Sequence, residues 1–192
     1  MSRTVRLSPL LALVVFLAAA AHAQAPPDAR QILRISGGYG LTLTTEEDTD
    51  GSGSGAYLDA EYAYMLTPWF SPRLYAGGLL TFPDEDSCAT VPVPCDVQSK
   101  IFFLGAKVRL MAPIPYVGPF IELGVGASLG YLRTLDILVD ERVRGVAVHV
   151  PVTIGLALGK RHEIDLMFSY LFHPSVKQVC GAIALGFGIP LR

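Results

Sequence analysis

The chain has 192 residues, 51% of them hydrophobic, with 15 Lys and Arg against 17 Asp and Glu and a formal charge of −2. That length supports one domain, and the near-neutral charge, with no basic patch interleaved with aromatics, speaks against a nucleic-acid partner. Beyond the N-terminal leader, no segment reaches the ~18 consecutive apolar residues of a membrane-crossing helix.

The leader comes first. Arg3 and Arg6 precede an apolar run from Leu7 to Ala20, broken only by Ser8 and Pro9, and Ala21-His22-Ala23 is a small-x-small cleavage site. This pattern predicts a secretory signal peptide over residues 1–23, with Gln24 as the mature N-terminus and one domain over residues 24–192. No Cys follows the cleavage site, so no lipid anchor is expected.

The next stretch, LRISGGYGLTLT from Leu33 to Thr44, alternates without a break. Leu33, Ile35, Gly37, Tyr39, Leu41 and Leu43 take one face, and Arg34, Ser36, Gly38, Gly40, Thr42 and Thr44 the other. A period of two marks a strand with two unlike faces. The same count predicts seven more strands over Ala56–Leu66, Arg73–Phe82, Ser99–Met111, Phe120–Leu132, Arg144–Leu158, Glu163–His173 and Val179–Leu191.

Connections alternate in character along the chain. EEDTDGSGSG, PDEDSCATVPVPCDVQ and TLDILVDE are long or charged, whereas TPWFSP, APIPYVGP and GKRH are short; PSVKQ is short for its side. An all-β, eight-stranded antiparallel up-and-down barrel has this arrangement when one rim carries loops and the other turns. Both chain ends then fall on the short-turn rim.

Two barrels fit this pattern. In a soluble lipocalin-like carrier the apolar face lines a ligand pocket; in a transmembrane barrel it meets lipid and the polar face fills the inside. Three features favour lipid. The polar face is rich in Gly, Ala and Ser rather than long charged residues. The apolar face is nearly unbroken, Val146-Val148-Val150-Val152-Ile154-Leu156-Leu158 in the sixth strand. Aromatics gather near strand ends: Phe82, Phe102, Tyr131, Tyr170 and Phe172 at one rim, Tyr62, Tyr64 and Phe187 at the other, with Trp69 and Phe70 in the turn beside them. Such girdles anchor barrels at membrane interfaces.

Inward positions carry Arg34, Asp59, Glu61, Arg73, Lys107, Arg109, Glu122, Glu163 and Asp165, with His149 and His173. Buried charges must pair, so these residues are expected to form an ion-pair network that plugs the narrow interior.

In this pattern the chain resembles the small eight-stranded outer-membrane barrels, the OmpA transmembrane domain and OmpX-like group. The resemblance implies a Gram-negative outer-membrane location. It also implies contact with outer-membrane lipid and lipopolysaccharide, insertion by the barrel-assembly machinery, and a structural or surface-interaction role carried by loops 45–55 and 83–98. Members of this group usually end in an aromatic residue; here the nearest is Phe187 before Ile-Pro-Leu-Arg192.

Remaining signals are smaller. Cys88 and Cys95 bracket a Pro-rich loop, and in an exported protein a local disulfide is the favoured reading, with free thiols or a metal pair as alternatives. Cys180 is read as a small buried side chain. Glu46–Asp50, EEDTD, reads as a solvated acidic loop, and no cofactor or resident metal is called for. His173-Pro-Ser175 resembles the His-x-Ser pair of lipid A deacylase (PagL-like) barrels, in which Ser is the nucleophile and His its base. No Asp or Glu follows Asp165 to orient the His, and the alternation points His173 inward. No enzyme activity is therefore expected.

Overall fold

The computed structural model describes residues 30–44, 52–83, 96–135, 140–174 and 178–191. The leader, Cys88, Cys95 and Ser175 lie outside these residues, as do EEDTD and most of the 83–98 segment. Eight strands follow in chain order: β1 (Gln31–Thr44), β2 (Ser52–Tyr64), β3 (Phe70–Pro83), β4 (Asp96–Met111), β5 (Tyr116–Leu135), β6 (Asp140–Gly159), β7 (Ile164–Phe172) and β8 (Gln178–Leu191). Each pairs antiparallel with its sequence neighbours, and β1 pairs with β8, Gln31 opposite Leu191, to close the barrel.

Closure leaves no bare sheet edge along the shared length, which is what hydrocarbon demands of a strand protein. Following hydrogen-bonded partners around the wall gives Phe70, Leu110, Ile121, Ile154, Phe168, Ile183, Tyr39, Ala56 and then Leu80, ten residues further along the starting strand. A stagger of that size in eight strands tilts them by about 40°. All nine residues on this path are apolar and occupy the outer face, and eight of them are exposed.

The two faces separate as the alternation predicts. Ile35, Tyr39, Leu43, Leu74, Leu104, Val125, Val148, Leu166 and Leu185 are all exposed outward, each at least 42% accessible. Arg34, Glu61, Arg73, Lys107, Arg109, Glu122 and Asp165 are buried inside. The apolar face is therefore the outer one, and the interior is no pocket for an apolar ligand, as a soluble carrier would need.

Strand lengths differ from expectation at the long-loop rim. Four residues of the charged TLDILVDE segment belong to strands, Thr134 and Leu135 to β5 and Asp140 and Glu141 to β6, and the two strands pair out to Leu135 opposite Asp140; residues 136–139 lie outside the described residues. β4 follows β5 to the same level, Asp96 opposite Leu135. β7 pairs with β6 only from Phe172 opposite Val150. Strands β4, β5 and β6 thus continue as a three-stranded sheet beyond the rest of the rim. Of the Gly-Ser stretch expected to be loop, Ser52–Gly55 belongs to β2. Gly55 is required there, because a Cβ would collide with the Leu80 carbonyl and Thr81 backbone of β3.

Gly126 shows how tightly the inside is filled. A Cβ there would lie 2.6 Å from both His149 Nε2 and the Leu104 carbonyl, and closer still to Tyr75 Oη. Gly126→Ala is expected to cost ~1–3 kcal/mol by overpacking, read as a lower denaturant midpoint at unchanged slope; a neutral result would mean that the interior is loose.

Candidate functional site: the interior and the outer wall

The interior divides into two layers. Toward the short-turn rim, alternation and register set four cations and three carboxylates in one chain of ion pairs. Arg34 and Arg109 share Asp165, the second pair at 2.6 Å. Arg109 Nε meets Glu122 Oε1 at 2.5 Å, and Lys107 Nζ joins Glu122 at 2.6 Å to Glu61 at 2.5 Å. Arg73 closes the group on Glu61 at 2.7 Å. The guanidinium of Arg109 also stacks 3.6 Å from the centre of the Phe120 ring, a flat cation on an aromatic face.

Each of these groups is buried, so each owes its tolerance to its neighbours: an ionised group alone in such a site is very costly. Asp59 lies in the same interior, opposite Ser36 in register. It belongs to no ion pair among the described residues, and its Oδ1 has no hydrogen bond. Counting Asp59, four acids balance four bases.

Glu163, expected inside, is a correction. It is exposed in the turn between β6 and β7. β7 begins only at Ile164, after His162 at φ +54°, so Glu163 precedes the strand and the parity it shares with Asp165 does not place it inside. Its carboxylate accepts the Arg161 amide at 2.9 Å. Its own backbone amide and that of Arg161 hold its pKa below the ordinary carboxylate value. The turn is tied to the interior through Arg34 Nη2, which donates to the His162 carbonyl at 3.4 Å.

Toward the long-loop rim the inside is aromatic and weakly polar. Tyr57 stacks on Phe103 at 5.7 Å between ring centres, and Tyr75 and His149 pack on the same ring. A hydrogen-bonded file runs through this layer: Tyr75 Oη to His149 Nε2 at 2.6 Å, His149 Nδ1 to Ser128 Oγ at 2.9 Å, and Ser128 Oγ to His173 Nε2 at 2.9 Å. One serine proton serves two imidazoles, so one ring accepts from Ser128 while the other donates to it. Above, Cys180 is a free, buried thiol 3.8 Å from both Thr42 Oγ1 and Ser99 Oγ.

His149 and His173 were legible as inward residues. Their link through Ser128 was not, since it depends on β5, β6 and β7 standing side by side. His173 is buried in this file, so its ring does not face the outer wall, where a lipid substrate would lie.

The outer wall is the complement. Large apolar side chains exposed around the whole circumference far exceed the few hundred Å² that a soluble monomer usually shows. Aromatics mark both margins: Phe82, Phe102 and Phe172 at the long-loop side, Tyr62 and Phe187 at the other, all exposed. Tyr64 and Tyr170 are half-buried. Trp69, Leu66, Ile114 and Tyr116 add exposed apolar surface to the short-turn rim. Tyr116 was not among the expected girdle residues; it opens β5 at φ +68°.

No protein-family model matches the sequence, and no curated protein matches it. Solved structures do. Neisserial surface protein A aligns over 85% of this chain and 98% of its own, at 10% identity and a TM-score of 0.56. The fold is that of a small eight-stranded outer-membrane β-barrel. The attachment invasion locus protein of Yersinia pestis, Ail, aligns over 83% of this chain and 97% of its own at 17% identity and TM-score 0.49. The outer-membrane enzyme PagL aligns over 84% and 99% at 12% identity and TM-score 0.41.

Proposed function

We infer that the protein is an outer-membrane barrel with a closed interior, and that it works by presenting its long-loop rim to a surface partner. The carrying observation is the inversion of the two faces, apolar outside and ion-paired inside. Eight strands leave room for side chains and little else, and here that room is taken by the ion-pair chain and the aromatic layer above it. With the interior filled, the structure that remains free to act is the β4–β5–β6 sheet beyond the rim and the loops joined to it. A structural and surface-interaction role follows, with no chemistry assigned to His173.

The test is location and closure together. In fractionated envelopes the protein should sediment with outer membranes and migrate differently on SDS gels before and after boiling, as a closed barrel does. In planar bilayers it should show little steady conductance. A soluble periplasmic species with no boiling shift would overturn the membrane reading; large, stable channels would overturn the closed interior.

A further inference from the structure

The ladder between β6 and β7 ends at Val150 opposite Phe172. In the same register His149 would face His173, the first residue after β7, but no backbone pair is made there. Their side chains are joined instead, through the Ser128 hydroxyl of β5. This joint ends the β6–β7 seam at the long-loop side, where His173 begins the connection to β8. Ser128, His149 and His173 are all buried.

Hydrogens can be counted along the file. Tyr75, His149, Ser128 and His173 carry one each when neutral, and three contacts need three. One added proton makes one ring a donor at both nitrogens, and all three bonds survive by pointing away from it. Two added protons are different. Both rings then donate to Ser128, whose own hydrogen is left without an acceptor in the file, and two cations stand with ring centres 5.5 Å apart.

Nothing nearby offsets that second charge. From β2 come Tyr57 and Asp59, from β3 Arg73 and Tyr75, from β4 Lys107, from β5 Glu122 and from β8 the Cys180 thiol. On the inner faces of β1 and β7 no titratable side chain lies between Arg34 or Asp165 and the long-loop rim. No carboxylate is bonded to either imidazole among the described residues; Glu122 and Asp165 are held by the cations of the layer below. The charge that meets the file, Lys107 Nζ at 5.3 Å from the Tyr75 ring centre, has the same sign.

We propose that the Tyr75-His149-Ser128-His173 file is an acid-sensitive clasp. It holds the start of the β7–β8 connection to β6 while at most one imidazole is protonated, and releases it when both are. An opened end brings the rings to water and takes the second proton where the clasp does not, so acid favours opening. The clasp rests on interior geometry alone and holds whichever partner the rim meets.

The experiment uses the refolded full barrel in detergent micelles, with folding verified by its boiling shift. Hydrogen exchange is followed at about pH 7.5 and about pH 4.5, on either side of ordinary histidine titration, with exchange times scaled for the intrinsic effect of pH. Amides from Phe172 to Val179 should exchange about fivefold faster or more in acid, while the Ile114 turn at the other rim stays unchanged. His173→Gln keeps a neutral hydrogen-bonding side chain and should hold the segment closed at both pH values. Ser128→Ala removes the joint and should leave it open at both. Imidazole resonances followed through the same titration should show opening with the second proton, not the first. Equal exchange at the two pH values in the wild type, or an acid response that survives His173→Gln, overturns the clasp. So does equally faster exchange at the Ile114 turn, which marks general loosening of the ion-pair layer. Should a variant fail to fold, the wild-type titration decides alone: two independent protonations without change at the Phe172 to Val179 amides overturn the proposal.

Discussion

Ile183→Arg should cost ~2–4 kcal/mol of folding stability in a bilayer, the depth-dependent penalty for a cation on the lipid face near the midplane. Ile183 sits midway along β8, is 53% exposed, and is partnered by Phe168 and Tyr39 on the continuous apolar path. On a water-facing surface the same change would alter stability by less than about 0.5 kcal/mol. The control is Leu66→Arg in the short-turn rim, where the residue is 57% exposed and the expected cost at an interface is about 0–1 kcal/mol. Reversible unfolding in phospholipid vesicles measures both. If the two substitutions cost the same, the apolar wall does not face hydrocarbon.

A second large effect is expected inside. Glu122 binds Lys107 and Arg109 directly and approaches Arg73 at 3.6 Å. Glu122→Gln keeps the shape but leaves four interior cations against three carboxylates, Asp59 among them. Removing one member of a buried ionic group usually costs ~3–5 kcal/mol, because the survivors stay buried with less compensation. The denaturant midpoint should fall with little change in slope. Adding Lys107→Met restores the balance, so the double variant should recover part of the loss, a coupling that the cycle measures. A single-variant cost below about 1 kcal/mol would show that the network is wet or rearranges freely.

Most of this barrel is written in alternation. A period of two assigns each residue to a face, and that alone placed Arg34, Arg73, Lys107, Arg109, Glu61 and Glu122 on one surface before any pairing was known. What alternation does not carry is where a strand stops. Glu163 shares its parity with Asp165, yet it lies in the turn before β7 begins and is exposed. TLDILVDE looked like a loop because its charges interrupt the apolar count. Asp140 and Glu141 nevertheless belong to β6, which pairs with β5 beyond the level at which β7 joins it. Cross-strand groupings were invisible for a different reason: Tyr75, Ser128 and His149 lie on three strands and His173 just past the end of a fourth, and only register brings them together. In the sequence Gly126 is one glycine among many on the polar face, and its particular duty appears once His149 and Tyr75 are seen to occupy the space a side chain would take.

The seam between β1 and β8 has a consequence for biogenesis. It joins the first and last strands, so it forms only after the whole chain has been delivered, and until then two bare edges stand open to wrong partners. From Cys180 to Gly188 the inward positions of β8 are Cys180, Ala182, Ala184, Gly186 and Gly188, all small. Arg34, opposite Gly188 across that seam, already reaches Asp165 on β7. A closing strand with so little bulk on its inner face fits against the interior side chains without displacing them. Bulky replacements at Ala182 or Ala184 would act on that last step, turning a finished sheet into one that waits ajar.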